Sequence, residues 1–516
     1  MILVYLILIL MVGGIFAWIT GKRNPLLSRI ISLVTVIIDL VLVVILFFQY
    51  GTHIEKEWMI EFTANWVPRY GIGIHLALDG LSLLMLILTF FIGILAVLIS
   101  WKEITSNTGF FHFNILWILS GITGVFLSID LFLFYFFWEV MLIPMYFLIG
   151  IWGHENRIYA SFKFFIFTQA SGLLMFLAII GLYLVHGNNT GTYTFDYQQL
   201  LGTTMLPSVE LILMAGFLVA FLVKLPAFPF HNWLPDAHTE APTAGSLILA
   251  SLMLKTGAYG LIRFAIPLFP NASATFAPVG MTLGVIGILY GAKLAFAQTD
   301  FKRLVAYTSI SHMGFIILGV YAFNELAYQG VVMQMIAHGI STGALFIIVG
   351  QLHERLKTRD LNRMGGLWEQ IPAMGAMGLI FSMASLGLPG LGNFVAEFLT
   401  LLGTFKTSII FASLASAGLI AATIYSLRIV QKVFFGKKNS ETDIKDLSIR
   451  ESIVLGALVI AILFTGLFPQ PLIDTAKPAI LKTIYAKDLH HIAEFEKQNI
   501  IKSKVITTPE AEIVIK

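Results

Sequence analysis

The chain has 516 residues, of which 58% are hydrophobic and only 12% charged. A soluble domain is nearer a quarter charged, so a polytopic membrane protein is expected. The formal net charge of +3 suggests no nucleic-acid partner, and the absence of cysteine excludes disulfides, thiolate-held iron–sulfur clusters and cysteine-type zinc sites.

The opening apolar run, residues 2–20, has no basic residue ahead of it, whereas Lys22 and Arg23 follow it. This pattern reads as an uncleaved first span with its N-terminus outside, not as a signal peptide. Further runs follow near 27–50, 78–101, 112–130, 131–152, 162–186, 208–230, 242–266, 274–297, 303–323, 327–351, 372–402, 408–434 and 450–470. By the ~20-residue criterion these make about fourteen spans. Runs of this length mean helices, so the expected fold is an all-α polytopic membrane protein.

Loop charge sets the expected orientation. Lys22, Arg23 and Arg29, then Lys102, Arg157, Lys302 and Arg303, then Arg355 to Arg363 alternate with loops nearly free of basic residues. The stretch 187–207 has none, and the last internal loop, FFGKKNSETDIKDLSIR, is basic again. Both termini are therefore expected outside. Residues 473–516 read as a polar tail solvated against neighbouring subunits, although KVITTPEAEIVIK within it has strand character.

Two spans carry helix breakers: Pro226, Pro229 and Pro235 in one, and Gly387, Pro389, Gly390 and Gly392 in the other. Paired interruptions point to an inverted repeat of the transporter kind. The division expected is three leading helices in 1–111, a first five-helix unit in 112–268, and a second in 274–436. Helix 14 follows in 450–472, and then the tail. The broken helix, the seventh or twelfth span, is the fourth of each unit. Five is odd, so the second unit enters the membrane from the opposite side.

Four charges lie deep in these spans: Glu139, Lys224, Lys255 and Glu397. A charge at the bilayer centre costs about 2.5–3.5 kcal/mol on insertion scales, so four of them suggest an ion route, most simply for protons. Lys224 and Glu397 each sit on a broken helix, where unwound backbone and water lower that cost. A glutamate near a desolvated lysine is a switch: its approach favours the ammonium and its withdrawal releases the proton. Contact between Glu139 and Lys224 is the expected form of that switch.

His231, His238, His312 and His338 are relay candidates, weighed against packed histidines bonded to backbone carbonyls. The last two are preferred, because they fall between the Lys255 and Glu397 helices in chain order. Lys293, Lys163, Arg263, Arg428 and Lys432 read as residues snorkelling near an interface, and Asp39 as a protein-facing structural acid. No Walker A, GxGxxG, HExxH or nucleophile-elbow motif is present, so no nucleotide or flavin site is expected.

HNWLPDAHTEAPTAGSLILASLMLKTGAYGLIRF, QTDFKRLVAYTSISHMGF, AHGISTGALFIIVGQLHERLKTRDL and LGLPGLGNFVAEFL resemble the antiporter-like subunits of respiratory complex I. The likeness is visible over roughly 75–470; the first 75 residues and the tail match poorly. It implies a proton-translocating membrane-arm subunit of NADH:quinone oxidoreductase. Glu139 then pairs with Lys224, Lys255 lies on the central axis, Glu397 is the exit group, and the four histidines match family histidines. It also implies no redox cofactor and no metal on this chain; NADH, FMN, iron–sulfur clusters and quinone belong to partner subunits. The implied partners are other membrane subunits, including neighbouring antiporter-like ones, in the bacterial inner (plasma) membrane. A multi-component cation/proton antiporter, a membrane hydrogenase-type complex and an inert scaffold are the rivals, and HTEAPTAGS favours complex I over the first.

Overall fold

Hydrocarbon offers no partner to a peptide N–H or C=O, so each crossing must close its own hydrogen bonds. The computed structural model, which describes residues 1–51, 58–437 and 444–485, meets this with helices. Among the described residues thirteen are long and apolar enough to cross a membrane. They are α1 (Ile2–Gly21), α2 (Pro25–Tyr50), α3 (Gly80–Glu103), α4 (Thr108–Leu127), α5 (Leu131–Trp152), α6 (Arg157–Thr190) and α7 (Pro207–Lys224). After the short α8 (Trp233–Glu240) come α9 (Thr243–Leu268), α10 (Pro270–Ala297), α11 (Phe301–Val320) and α12 (Glu325–Leu356). Two shorter helices, α13 (Pro372–Ser385) and α14 (Gly392–Thr407), precede α15 (Ile409–Phe434), α16 (Ile449–Leu467) and α17 (Gln470–Ile484).

The run expected as one span over 372–402 is two helices of 14 and 16 residues. At 1.5 Å per residue neither reaches the ~30 Å of a hydrocarbon core. Gly387 and Gly390, at φ +82° and +96°, turn the backbone between them. In the other interrupted span α7 stops at Lys224 and α8 starts at Trp233, with Pro226 and Pro229 in between.

Burial sorts the helices. The hydrophobic windows of α9 and α12 are wholly buried, whereas those of α2, α15 and α16 are only a third buried and face lipid. α10 and α11 approach closely at Gly284 and Gly314; a Cβ on either would lie within 3 Å of the other's carbonyl oxygen.

A paired motif recurs. Asp130 caps α5 through Phe132 N and Leu133 N, and bridges Asp196 with Leu131 N→Phe195 O and Tyr197 N→Ile129 O, both 2.8 Å. Asp300 caps α11 and bridges Asp360 with Phe301 N→Arg359 O at 2.9 Å and Leu361 N→Thr299 O at 2.8 Å. Asp196 and Asp360 each cap a short turn of their own.

Four features depart from the sequence reading. A hairpin of β1 (Ile60–Val67) and β2 (Ile72–Leu78) precedes α3, in a stretch left unassigned. The tail expected from residue 473 begins as the amphipathic α17, whose Ile473, Ala476, Ala479, Ile480 and Thr483 are buried at helical spacing against α3 and α12; residues 504–516 lie outside the described residues. Arg263, expected to snorkel, is 4% exposed on the buried α9 and pairs with Asp79, its guanidinium 4.9 Å from the Trp58 ring. α9 is buried throughout, so a charge there needs a partner. Lys163 likewise binds Asp236 at 2.6 Å, whereas Lys293 and Lys432 are exposed as expected.

Candidate functional site

The second interruption opens onto a buried axis. On α9, π-helical turns Leu249–Met253 and Leu261–Ala265 flank the α-helical segment that carries Lys255. Wide turns of this kind shift the hydrogen-bond register and often mark functional sites. Lys255 is fully buried; its Nζ donates to Ala250 O, five residues back, at 2.5 Å and lies 2.7 Å from His338 Nδ1 on α12. The rings of His338 and His312 are 5.5 Å apart. On the far side His312 Nδ1 meets Glu397 Oε1 at 2.8 Å, and its Nε2 lies 3.2 Å from Ser385 Oγ and 3.4 Å from Tyr425 OH. Four residues expected from the sequence thus form one buried line across α9, α12, α11 and α14.

Glu397 reaches this line through the break. It sits in the second turn of α14, and a Cβ on Gly387 would lie 3.1 Å from its Oε2. Only glycine satisfies both the positive φ at 387 and the approach of the carboxylate. Around the line, Glu397 Oε2, His338 Nε2, Ser341 Oγ, Thr342 Oγ1 and both amide atoms of Gln334 and Asn393 are buried with no protein partner among the described residues. Buried polar groups of this density take their hydrogen bonds from water.

The first break is organised differently. Lys224 is the last residue of α7, 1% exposed, where the helix dipole favours a cation. Its Nζ has no hydrogen-bond partner among the described residues and stands 5.0 Å from the Trp138 ring and 5.9 Å from the Phe164 ring. Glu139, half-buried on α5, is an electrostatic neighbour of Lys224 but makes no ion pair with it among the described residues. The expected contact is therefore open in this structure, and the indole face holds the lysine instead.

The remaining histidines divide. His238, wholly buried on α8, stacks on Phe346 at 4.3 Å and has Lys302 and Lys255 as charged neighbours. His231 packs between Phe228 and Tyr290 at 6.0 and 5.3 Å, and no contact joins it to the line. Neither ring has a hydrogen-bond partner among the described residues. Asp39 is buried with both oxygens unpartnered among the described residues, in keeping with a protein-facing acid.

The sequence reading missed Trp138, Ser385, Tyr425 and, at the membrane edge, Glu103 and Lys302. Lys302 counted only as a loop charge, yet it is 2% exposed and donates from Nζ to Ala241 O at 2.5 Å. The signal available was its position one residue inside the α11 start, two after the Asp300 cap.

This fold and this buried line define an antiporter-like membrane subunit. The family model described as NADH:quinone oxidoreductase/Mrp antiporter, TM, matches residues 128–424. NADH-quinone oxidoreductase subunit M of Escherichia coli (strain K12) is 52% identical over 493 residues, covering 93% of this chain and 97% of that one. The Pseudomonas aeruginosa subunit M is 56% identical over 487 residues, with 92% and 96% covered. The chain belongs to the NADH:quinone oxidoreductase/Mrp antiporter family.

Among solved structures, a chain of respiratory complex I from Thermus thermophilus with bound NADH superposes with a TM-score of 0.83 at 33% identity, covering 93% of this chain and 99% of that one. A chain of the Mrp complex from Dietzia sp. DQ12-45-1b gives the same TM-score at 20% identity, covering 94% and 99%, and so shares the fold. The alignments thus reach past the 75–470 stretch where the resemblance was visible.

Proposed function

We propose that this chain is the M-type proton-translocating subunit in the membrane arm of a bacterial NADH:quinone oxidoreductase. It couples quinone reduction on other subunits to proton movement through its own buried residues. The observation that carries this is the line Lys255–His338–His312–Glu397, which joins the two halves of the chain at the centre of the bundle. Identity of 52–56% to subunits M, against 20% to the Mrp chain, favours this reading over the antiporter.

The two aspartate bridges support division into inverted five-helix units, 112–268 and 274–436, because each joins the start of the second helix to the approach of the broken fourth. An odd helix count puts the bridges on opposite membrane faces. The face of Asp300 and Asp360 is basic and lies inside; both termini lie outside.

In the proposed cycle the Lys255 ammonium gives a proton to His338 and becomes the amine. Water carries the proton to His312, and His312 passes it from Nδ1 to Glu397. The carboxylic acid releases it to the outer side and returns to carboxylate. Glu139, at the half-buried edge of α5, faces the neighbouring subunit. Its approach to Lys224 replaces the Trp138 contact and shifts charge toward Lys255. NADH, FMN, iron–sulfur clusters and quinone act on partner chains.

Reconstituting the assembled complex with Glu397→Gln into liposomes tests the reading. Loss of the NADH-driven proton gradient with a normal subunit complement is expected. A gradient of wild-type rate and stoichiometry overturns it in favour of an inert scaffold.

A further inference from the structure

At the basic face two cavities adjoin, sharing part of their lining. The outer, about 920 Å³, is walled by Arg157, Asp300, Thr358 and Arg363, and it shares His154, His353, Lys357 and Arg359 with an inner cavity of about 540 Å³. The floor of the inner cavity is made by Glu103, Thr243 and Lys302.

Glu103 ends α3 and accepts from Thr243 N at 2.9 Å and Thr243 Oγ1 at 3.0 Å, so Oε1 caps α9, the helix of Lys255. Its other oxygen, Oε2, is buried with no partner among the described residues. A cap needs one oxygen; the second is free for other chemistry. Lys302 is an electrostatic neighbour of Glu103 on one side and of His238 on the other. His238 in turn neighbours Lys255 and His338. Thr239 Oγ1 and both amide atoms of Gln351 are buried along this stretch without a protein partner among the described residues. They supply the polar lining that bridging water needs.

Resting on the proton-pumping reading above, we infer that Glu103 and Lys302, electrostatic neighbours at the floor of this cavity, are the inner proton entry, feeding Lys255 through His238. Cavity water protonates the Glu103 carboxylate at Oε2. The acid passes that proton to the Lys302 amine and returns to carboxylate. The Lys302 ammonium protonates a His238 ring nitrogen and becomes the amine again. The imidazolium then delivers to the Lys255 amine, which restores neutral His238. No oxidant or other co-reactant is required.

Besides His353, whose ring is 4.8 Å away, His154 is the imidazole rival at the mouth. Burial first, then the charges of Lys302, His353 and Arg359, push it down to about 3, so it stays neutral while the pump works. This route reaches the axis without passing Lys224, which leaves Lys224 as a switch and not a carrier.

The test uses the whole complex in native membranes. Glu103→Gln keeps the Oε1 cap and deletes the proton site; Lys302→Met leaves the cap intact. Each is expected to lower the NADH-driven proton translocation rate about tenfold, equivalent to about 1.4 kcal/mol of barrier. Complex content is expected to stay at the wild-type level, and Glu103→Asp to recover most of the rate. Thr243→Val, which loses one cap bond only, is expected to pump normally. Wild-type translocation in Glu103→Gln and Lys302→Met overturns the inference, as does a deficit that merely follows complex content across all four variants. Should Glu103→Gln not assemble, Lys302→Met decides alone. If both pump normally while Glu397→Gln does not, only the entry is wrong; if Glu397→Gln also pumps, the pumping reading itself fails.

Discussion

The two broken helices use one backbone device for two purposes. At the first, the charge stands before the gap, as the final residue of α7, and rests on an aromatic face. At the second it stands beyond the gap, in the second turn of α14, and is hydrogen-bonded into the axis. Lys224 and Glu397 share a place in the chain's plan but are not equivalent in position: one is on the first half of its helix, the other on the second half. An unpaired cation over an indole can move at little cost. A carboxylate bonded to His312 and buried by its neighbours is held in place, which suits a fixed station in the proposed relay. The difference predicts that substitutions at the second break strike transfer itself, and those at the first strike its control.

The largest effect is therefore expected at Glu397. Glu397→Gln removes the terminal acceptor while keeping an oxygen for His312, and should reduce proton translocation about 100-fold, the lower range for a positioned proton-transfer group. Assembly, followed by native electrophoresis of the complex, should be unchanged. A deficit of only a few fold would mean that the line has a second outlet, and the contrast between fixed station and movable switch would dissolve.

Next come Lys224→Ala and Glu139→Gln. Each removes one partner of the switch, and each should cut both quinone reduction and pumping by about tenfold, as expected for losing interactions of roughly 1.4 kcal/mol at the controlling step. Steady-state NADH oxidation and the proton-translocation rate check this together. Wild-type rates of both in Glu139→Gln would remove the coupling role.

Trp138 separates the open from the paired state of Lys224. A cation–π contact is worth about 0.5–2 kcal/mol, more when desolvated. Trp138→Leu should tip Lys224 toward Glu139 and slow turnover by about threefold, and Trp138→Phe should recover part of the loss. Equal effects from Leu and Phe would show that Trp138 only fills space.

The sequence made much of this legible because membrane burial is so restrictive. Four charges inside apolar runs, two beside Pro or Gly clusters, need no alignment to stand out, and two of the four, Lys255 and Glu397, lie on the buried line. What stayed hidden depends on tertiary closure. Trp138 is one aromatic among many in FLFYFFWEV, and only the fold sets its ring beside Lys224. Lys302 looked like one more positive-inside charge, because a first-turn residue belongs to a loop by sequence and to the core by packing. Arg263 misled for the same reason, since its partner Asp79 lies far along the chain. The π turns around Lys255 leave no mark that hydropathy can read.

His231 gives the smallest expected effect and the sharpest boundary to the comparison. It lies in the same motif as His238, seven residues away, yet it packs between two aromatic rings with neither nitrogen bonded among the described residues. A buried imidazole without partners is a cost to the fold, and a phenyl ring of similar shape removes that cost. His231→Phe should leave pumping within about twofold of wild type, an activation difference of roughly 0.4 kcal/mol, with equal or higher thermal stability. His338→Phe, which also preserves an aromatic ring but breaks the Lys255 contact, should behave like Glu397→Gln. Two histidine-to-phenylalanine changes in one buried bundle then differ only in whether the ring nitrogen lies on the line. If His231→Phe instead stopped translocation, protons would have to cross the first break, and Lys224 would be a carrier after all.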